Sequence, residues 1–158
     1  MADLDPHARI AHLLRRAGFG ASEAELNDYV ALGFEASVDR LLNPQAVADD
    51  LDQQVANLAA KLGYNLNDTL ADLQTVWLYR MVNTKRSLQE KMSLFWHGHF
   101  ATANSKVNSP FLMNQQYQLF NRLGLGNFRD LVLGVSKDPA MLIWLDGNQN
   151  RKAAPNEN

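Results

Sequence analysis

Residues 90 to 100 read EKMSLFWHGHF, and the fold turns on whether this run is a packed helix or a ligand-bearing loop. Leu88, Met92, Phe95 and Trp96 recur at steps of three and four, the spacing of one helix face. Ser87 with Glu90 three residues on reads as a capping box that opens the helix. At the other end Gly98 separates His97 from His99. On a continuous helix two such side chains project about 200° apart and cannot face one ion. A glycine that ends the helix would let His99 swing to the side of His97, and two neutral imidazoles so placed suit zinc, iron or copper. A third ligand is then required, and residues 101 to 109 offer no carboxylate. The plainer reading puts both imidazoles at a helix C-terminus, where their N–H groups answer unpaired carbonyls and favour the dipole.

Outward from this run the punctuation is helical. Asp5-Pro6 supplies an N-cap and a proline at the first helical position, Ile10, Leu13, Leu14 and Ala17 follow, and Gly18 stands as a left-handed C-cap. Ser22 and Glu25 form a capping box for a helix through Leu26, Tyr29 and Val30 that stops at Gly33. Phe34, Val38, Leu41 and Leu42 make a third helix, closed before Pro44. A stripe of Val47, Leu51, Val55, Leu58 and Leu62 follows, then one of Leu70, Leu73, Trp77, Leu78 and Met81. Beyond the polar stretch TANSKVNS, Ser109-Pro110 opens a helix through Tyr117, Phe120 and Leu123. FRDLVLGVSK makes the next, and Asp138-Pro139 caps AMLIWL, which stops at Asp146-Gly147. No period-two alternation competes. The expectation is an all-α fold, an orthogonal multi-helix array of about eight or nine short helices with no sheet, in one domain over residues 1–158.

Composition bounds the partners. The chain has 158 residues, 46% of them hydrophobic and 20% charged, enough for one domain with a real core. Its formal net charge is -2, from 15 basic and 17 acidic side chains, and the basic pairs Arg15-Arg16, Lys85-Arg86 and Arg151-Lys152 stand far apart. Nucleic-acid binding needs a concentrated basic footprint and is disfavoured. No apolar run approaches the roughly 20 residues that span a bilayer. The N-terminus MADLDPHARI has no signal-peptide pattern, and the absence of cysteine excludes disulfides, thiolate zinc sites and cysteine nucleophiles.

LLRRAGFGAS, EKMSLFWHGHF, LGNFRDLVLGVSKDPAML and WLDGNQNRKAAPNEN follow one another along nearly the whole chain. In this order they resemble a bacterial family known as domain of unknown function 1800, with the likeness weakest between residues 43 and 66. Members are longer, and in them PNEN leads into a further helix, so the resemblance implies the N-terminal part of such a domain. Many relatives carry export signals, which implies a periplasmic or secreted setting. The resemblance implies a fold and transfers no activity, cofactor or catalytic residue.

A second candidate site lies in DGNQNRKAAPNE. Asp146, Asn148 and Asn150 occupy positions 1, 3 and 5 of a twelve-residue window that ends at Glu157, the oxygen-ligand spacing of a calcium loop. Arg151 stands where glycine normally turns the loop, and Pro155 sits late in it. The alternative is an Asx-rich loop in which Asp146 turns or caps. The glycine pairs in GFGAS and GLGNF follow helices and do not complete a G-x-G-x-x-G pattern, so both read as C-caps. Arg15 and Arg16 beside Gly18 read as a solvated face, as do His7 and His12. Trp77, Trp96 and Trp144 fall on apolar faces as core residues, with their indole N–H groups bonded to loop carbonyls.

Two functions from different classes follow. The first is a helical scaffold or ligand-binding module, with a cation such as calcium in the Asn-rich loop as an optional stabiliser. The second is a metal-dependent enzyme, a hydrolase or oxidoreductase, in which His97 and His99 hold a transition metal with Asp146 or Glu157. A protein partner, or self-association through exposed apolar surface, fits the first.

Overall fold

Asp5 opens the first helix of the computed structural model, which describes residues 5–65, 68–153 and 155. Its carboxylate accepts from the Ala8 amide, and Pro6 fills the first position. Among the described residues ten α-helices follow one another: α1 Pro6–Ala17, α2 Glu23–Leu32, α3 Phe34–Leu42, α4 Leu51–Leu62, α5 Leu70–Asn83, α6 Ser87–Phe100, α7 Asn104–Val107, α8 Pro110–Leu123, α9 Phe128–Val135 and α10 Pro139–Trp144. Short 3-10 turns lie at Pro44–Ala46 and Gly147–Gln149, and no strand occurs among the described residues. The all-α expectation holds. The helix beyond the expected eight or nine is α7, a single turn inside the polar stretch that follows the histidine pair.

Side-chain caps position most starts. Ser22 and Glu25 form the reciprocal box expected of them, with Glu25 N–H donating to Ser22 Oγ at 3.3 Å and Ser22 N–H donating to Glu25 Oε2 at 2.9 Å. Thr69, Ser109, Asn127 and Asp138 cap α5, α8, α9 and α10.

The second capping box is not formed. Arg86 is the cap residue of α6, Ser87 lies inside the helix without a capping bond, and the Glu90 carboxylate turns inward. Gly18 also differs from expectation: its φ of -147° is extended. A Cβ there would stand 2.9 Å from Ser87 Cβ, so glycine serves the close approach of α1 to the start of α6. Gly124 is right-handed, with φ -65°, and is pressed against Trp96. Gly98 does not end α6; the helix runs on to Phe100 and is closed by Ala101 in the left-handed region, φ 49°. Leu78 and Phe95, read as inward-facing, are 63% and 54% exposed. The buried residues of those helices are Leu73 and Val76 on α5, and Glu90 and Ser93 on α6.

Helices α6 and α8 organise the packing. α6 contacts α1, α3, α5 and α8, while α8 contacts α5, α6, α7, α9 and α10. Ile10, Leu14, Tyr29 and Leu41 join α1 to α3, with Leu88 of α6 against them. Phe120, Leu131, Val135 and Met141 join α8 to α10, with Trp96 and Phe100 of α6 packed alongside. Full burial of a side chain such as Phe120 or Leu131, each 1% exposed, contributes about 1.5–3 kcal/mol. Leu51, Val55 and Val76 hold α4 on α5.

A polar clasp closes the base of that α4–α5 pair. Arg86 Nε and Nη2 both donate to the Val47 carbonyl, at 3.0 and 2.8 Å. Asp49 Oδ2 accepts from Thr84 Oγ1 and the Lys85 amide, both at 3.1 Å, while its Oδ1 accepts from the Leu51 amide. The segment before α4 is thereby tied to the connection after α5.

Candidate functional site

Three helices bring unlike side chains to one point. On α5, Leu73, Val76, Trp77 and Arg80 fall at helical spacing on the face toward α8. On α6, Glu90, Ser93 and His97 are three and four residues apart and share a face. On α8, Asn114, Tyr117, Gln118 and Asn121 form a polar stripe beside the buried Met113, Gln116 and Phe120.

Glu90, 2% exposed, is the centre. Its Oε1 accepts from Trp77 Nε1 at 2.9 Å and from the Tyr117 hydroxyl at 2.8 Å, and its Oε2 accepts from Asn121 Nδ2 at 3.2 Å. Arg80 Nε donates to the Tyr117 hydroxyl oxygen at 2.7 Å and stands 3.9 Å from Glu90 Oε2. The guanidinium reaches outward as well, with Nη1 on Asp52 Oδ1 at 2.8 Å. A buried carboxylate is tolerable only when paired and hydrogen-bonded, and here four side chains from α5 and α8 converge on it. Trp77 is wedged between Glu90 and His97, its ring meeting the imidazole edge-on at 5.3 Å and the Tyr117 ring at 5.3 Å.

Burial pushes the Glu90 carboxyl above its ordinary value, against the opposing pull of Tyr117, Arg80, Trp77 and Asn121. Burial also raises the Tyr117 phenol, and the neighbouring Glu90 charge adds to this. Burial works against the Arg80 charge, but Tyr117, Asp52 and Glu90 outweigh it and hold the guanidinium protonated. Burial alone lowers the His97 imidazole, which favours its neutral form.

A cleft opens beside this junction, between α5 and α8. Its outer lobe, about 340 Å³, is lined by Leu73, Trp77, Arg80, Asn114, Gln118 and Asn121, with Asp52 at the rim. A separate recess of about 220 Å³, the inner lobe, is lined by Gln74, His97, Thr102 and Asn104 together with Leu73, Trp77 and Tyr117, which line the outer lobe as well. Glu90 lines neither lobe. A larger hollow of about 780 Å³ lies where the α1–α2 connection faces the end of α5. Its walls include the exposed Leu78 and Val82, and its Ser22 and Glu25 are engaged in their own capping box. Convergent polar chemistry belongs to the α5–α8 cleft.

Residues 12–158 match a family model described as protein of unknown function (DUF1800). The chain belongs to the DUF1800 family. No curated protein and no solved structure matches it. The chemistry of this DUF1800 chain is therefore read from its own side chains.

In this DUF1800 member the two histidines are not brought together. Because α6 continues through Gly98, His97 faces Trp77 on α5, whereas the exposed His99 stacks on Phe95 and meets Trp96 and Phe100 edge-on. Among the described residues no group of three His, Cys, Asp or Glu converges as a metal site. Asp146 sits in the left-handed region, φ 57°, and its Oδ2 accepts from Lys106 Nζ at 2.7 Å. The same ammonium donates to the Trp144 carbonyl at 2.7 Å, so a lysine supplies the positive charge at the head of the loop. Asn148 lies in the 3-10 turn and Asn150 follows it, both exposed; Glu157 is outside the described residues.

Trp96 bonds a loop carbonyl as expected, donating to Gly124 O at 2.8 Å, but Trp77 donates to a carboxylate instead. The residues missed from sequence are Glu90, Arg80, Tyr117 and Asn121. A signal existed for α8, where three amides and a tyrosine recur at steps of three and four. For Glu90 the local pattern pointed elsewhere.

Proposed function

We propose that the chain is a helical scaffold whose work is to bind a small polar ligand, with the α5–α8 cleft as the site. One observation carries the reading: the amides of α8 and the Tyr117 ring among them line one recess with Trp77 of α5, backed by a fully bonded Glu90. Ligand pockets combine apolar walls with a few fixed polar groups, and this cleft is of the scale, about 300–1,000 Å³, that such sites occupy. The hydrogen-bonded junction behind it holds Trp77 and Tyr117 in place, which lowers the entropy cost of binding. A small-molecule fragment screen followed by amide and indole NMR shifts tests this. Hits should perturb the Trp77 indole and the Gln118 and Gln74 side chains; hits confined to other surfaces would refute it.

The enzyme alternative keeps one supporting observation, a half-buried imidazole at His97 inside the inner lobe. A metal reading at His97 and His99, or a calcium reading at Asp146, Asn148, Asn150 and Glu157, is tested by thermal melts with zinc and with calcium. Native-state binding must raise the melting temperature. No helix among the described residues is long and apolar enough to cross a membrane. The exposed Phe95 and Phe128, which both lie against Trp96, are the surface on which self-association would be sought by sedimentation.

A further inference from the structure

We infer that the α5–α8 cleft takes an uncharged polyhydroxylated ligand, a short neutral saccharide, laid against the Trp77 and Tyr117 rings and hydrogen-bonded by the amides around them. The inference rests on the binding reading above and names its ligand class.

The charge inventory of the cleft points this way. Five titratable groups face it or back it, one of them the Tyr117 phenol, which is bonded to Glu90. Asp52 and Arg80 are closed on each other at 2.8 Å. Glu90 lies behind the rings with its oxygens occupied by Trp77, Tyr117 and Asn121, and it lines neither lobe. His97 is held toward its neutral form by burial. A ligand with a net charge would meet no uncommitted countercharge in this recess, and desolvating an uncompensated charge is costly.

The remaining polar lining is neutral. Asn121 already donates to Glu90, Asn104 Oδ1 accepts from the Ser109 amide and Thr102 Oγ1 donates to the Phe100 carbonyl, so Gln118 on one wall and Gln74 toward the other end are the groups that offer both a donor and an acceptor. A hydroxyl also does both, so a ligand with several hydroxyls matches such a lining, whereas a pure donor or pure acceptor leaves half of it unused. The indole N–H and the phenol O–H are already spent on Glu90, so Trp77 and Tyr117 offer the cleft ring surface. The C–H face of a sugar ring is the complement of such a surface, apolar on one side with hydroxyls at its edge. Leu73 lines both recesses and adds apolar surface beside the two rings.

The full chain is titrated with cellotriose, maltotriose and triacetylchitotriose as neutral probes, and with glucosamine trimer and trigalacturonate as charged counterparts. The readout is NMR of the Trp77 indole and the Gln and Asn side-chain amides. At least one neutral trimer should shift Trp77, Gln118 and Gln74 together. Gln118→Ala and Gln74→Ala, both at exposed positions, should each weaken that binding by about three- to tenfold without altering the melting temperature. Shifts in the cleft with a charged trimer alone would overturn the ligand class and leave the binding site standing. Silence of the cleft to every trimer while fragments still bind there would do the same. Silence to trimers and fragments alike would remove both the ligand class and the binding reading.

Discussion

Helices α6 and α8 meet at two places built on opposite principles. Toward the end of α6, Phe100 stacks on Phe120 of α8 at 5.8 Å, Trp96 packs beside them, and its indole N–H finds the Gly124 carbonyl just past α8. Two turns earlier, Glu90 draws Tyr117 and Asn121 from α8 and Trp77 from α5 onto one carboxylate. The first contact is apolar burial with a single backbone bond, and it can be judged from hydrophobic pattern alone. The second buries a charge, and its cost is offset only because every partner arrives. A difference of this kind between two contacts of the same helix pair makes the polar one an all-or-none set, since the loss of any one partner leaves a buried group unpaired.

The largest expected effect separates the two contacts directly. Glu90→Ala strands Trp77 N–H, the Tyr117 hydroxyl and one side of Arg80 without an acceptor, and should cost about 3–5 kcal/mol in urea denaturation. A loss under 1 kcal/mol would mean that the junction does not hold the helices. At the apolar contact, Gly124→Ala places a Cβ 2.5 Å from the Phe120 carbonyl oxygen and 2.9 Å from Trp96 Cδ1. It should destabilise by about 1–3 kcal/mol and shift tryptophan emission as Trp96 is displaced.

Gly98→Ala sharpens the contrast, because an added Cβ there meets nothing within 4 Å. Its expected effect has the opposite sign, a gain of about 0.5–1 kcal/mol from helix propensity, read by the same denaturation. A loss would show that α6 depends on a glycine between its two histidines.

The pH dependence divides along the same line. The Glu90 carboxyl is raised by burial, so the folded state holds its proton more tightly than the unfolded chain does. Its contribution is full below the ordinary value of 4.5 and is lost as pH climbs through the folded value. His97 is lowered from 6.5, so its contribution is present above that value and is lost as pH falls through the folded one. Denaturation of Glu90→Gln and His97→Gln across this range should remove a falling and a rising component of stability respectively. NMR titration should place the His97 midpoint below 6.5. The smallest effect belongs to the surface: Lys106→Ala breaks a half-exposed pair with Asp146 and should change stability by about 0–1 kcal/mol.

The helices were legible because their caps are local. Asp5, Ser22, Ser109 and Asp138 each bond an amide three residues on, a relation contained in four consecutive letters. Glu90 was misread for the same reason. Three residues after Ser87 it satisfies the local pattern of a capping box, and only Trp77 and Tyr117, 13 and 27 residues away, turn it inward. The cleft needs α4, α5 and α8 to be placed before its lining exists as a set. Gly98 teaches the converse: a residue free to break a helix does so only where the surrounding packing asks for it.

The clasp at the foot of α4 and α5 has a bearing on the cleft above it. Asp52 at the rim rides on α4, and α4 is fastened to the rest of the molecule partly through Arg86, Asp49 and Thr84. The same helix is also held on α5 by Leu51, Val55 and Val76, so the rim carboxylate keeps its place beside Arg80 through contacts on two sides of α4. The seat of the rim carboxylate is thus set in part by side chains that lie outside the lining of the recess.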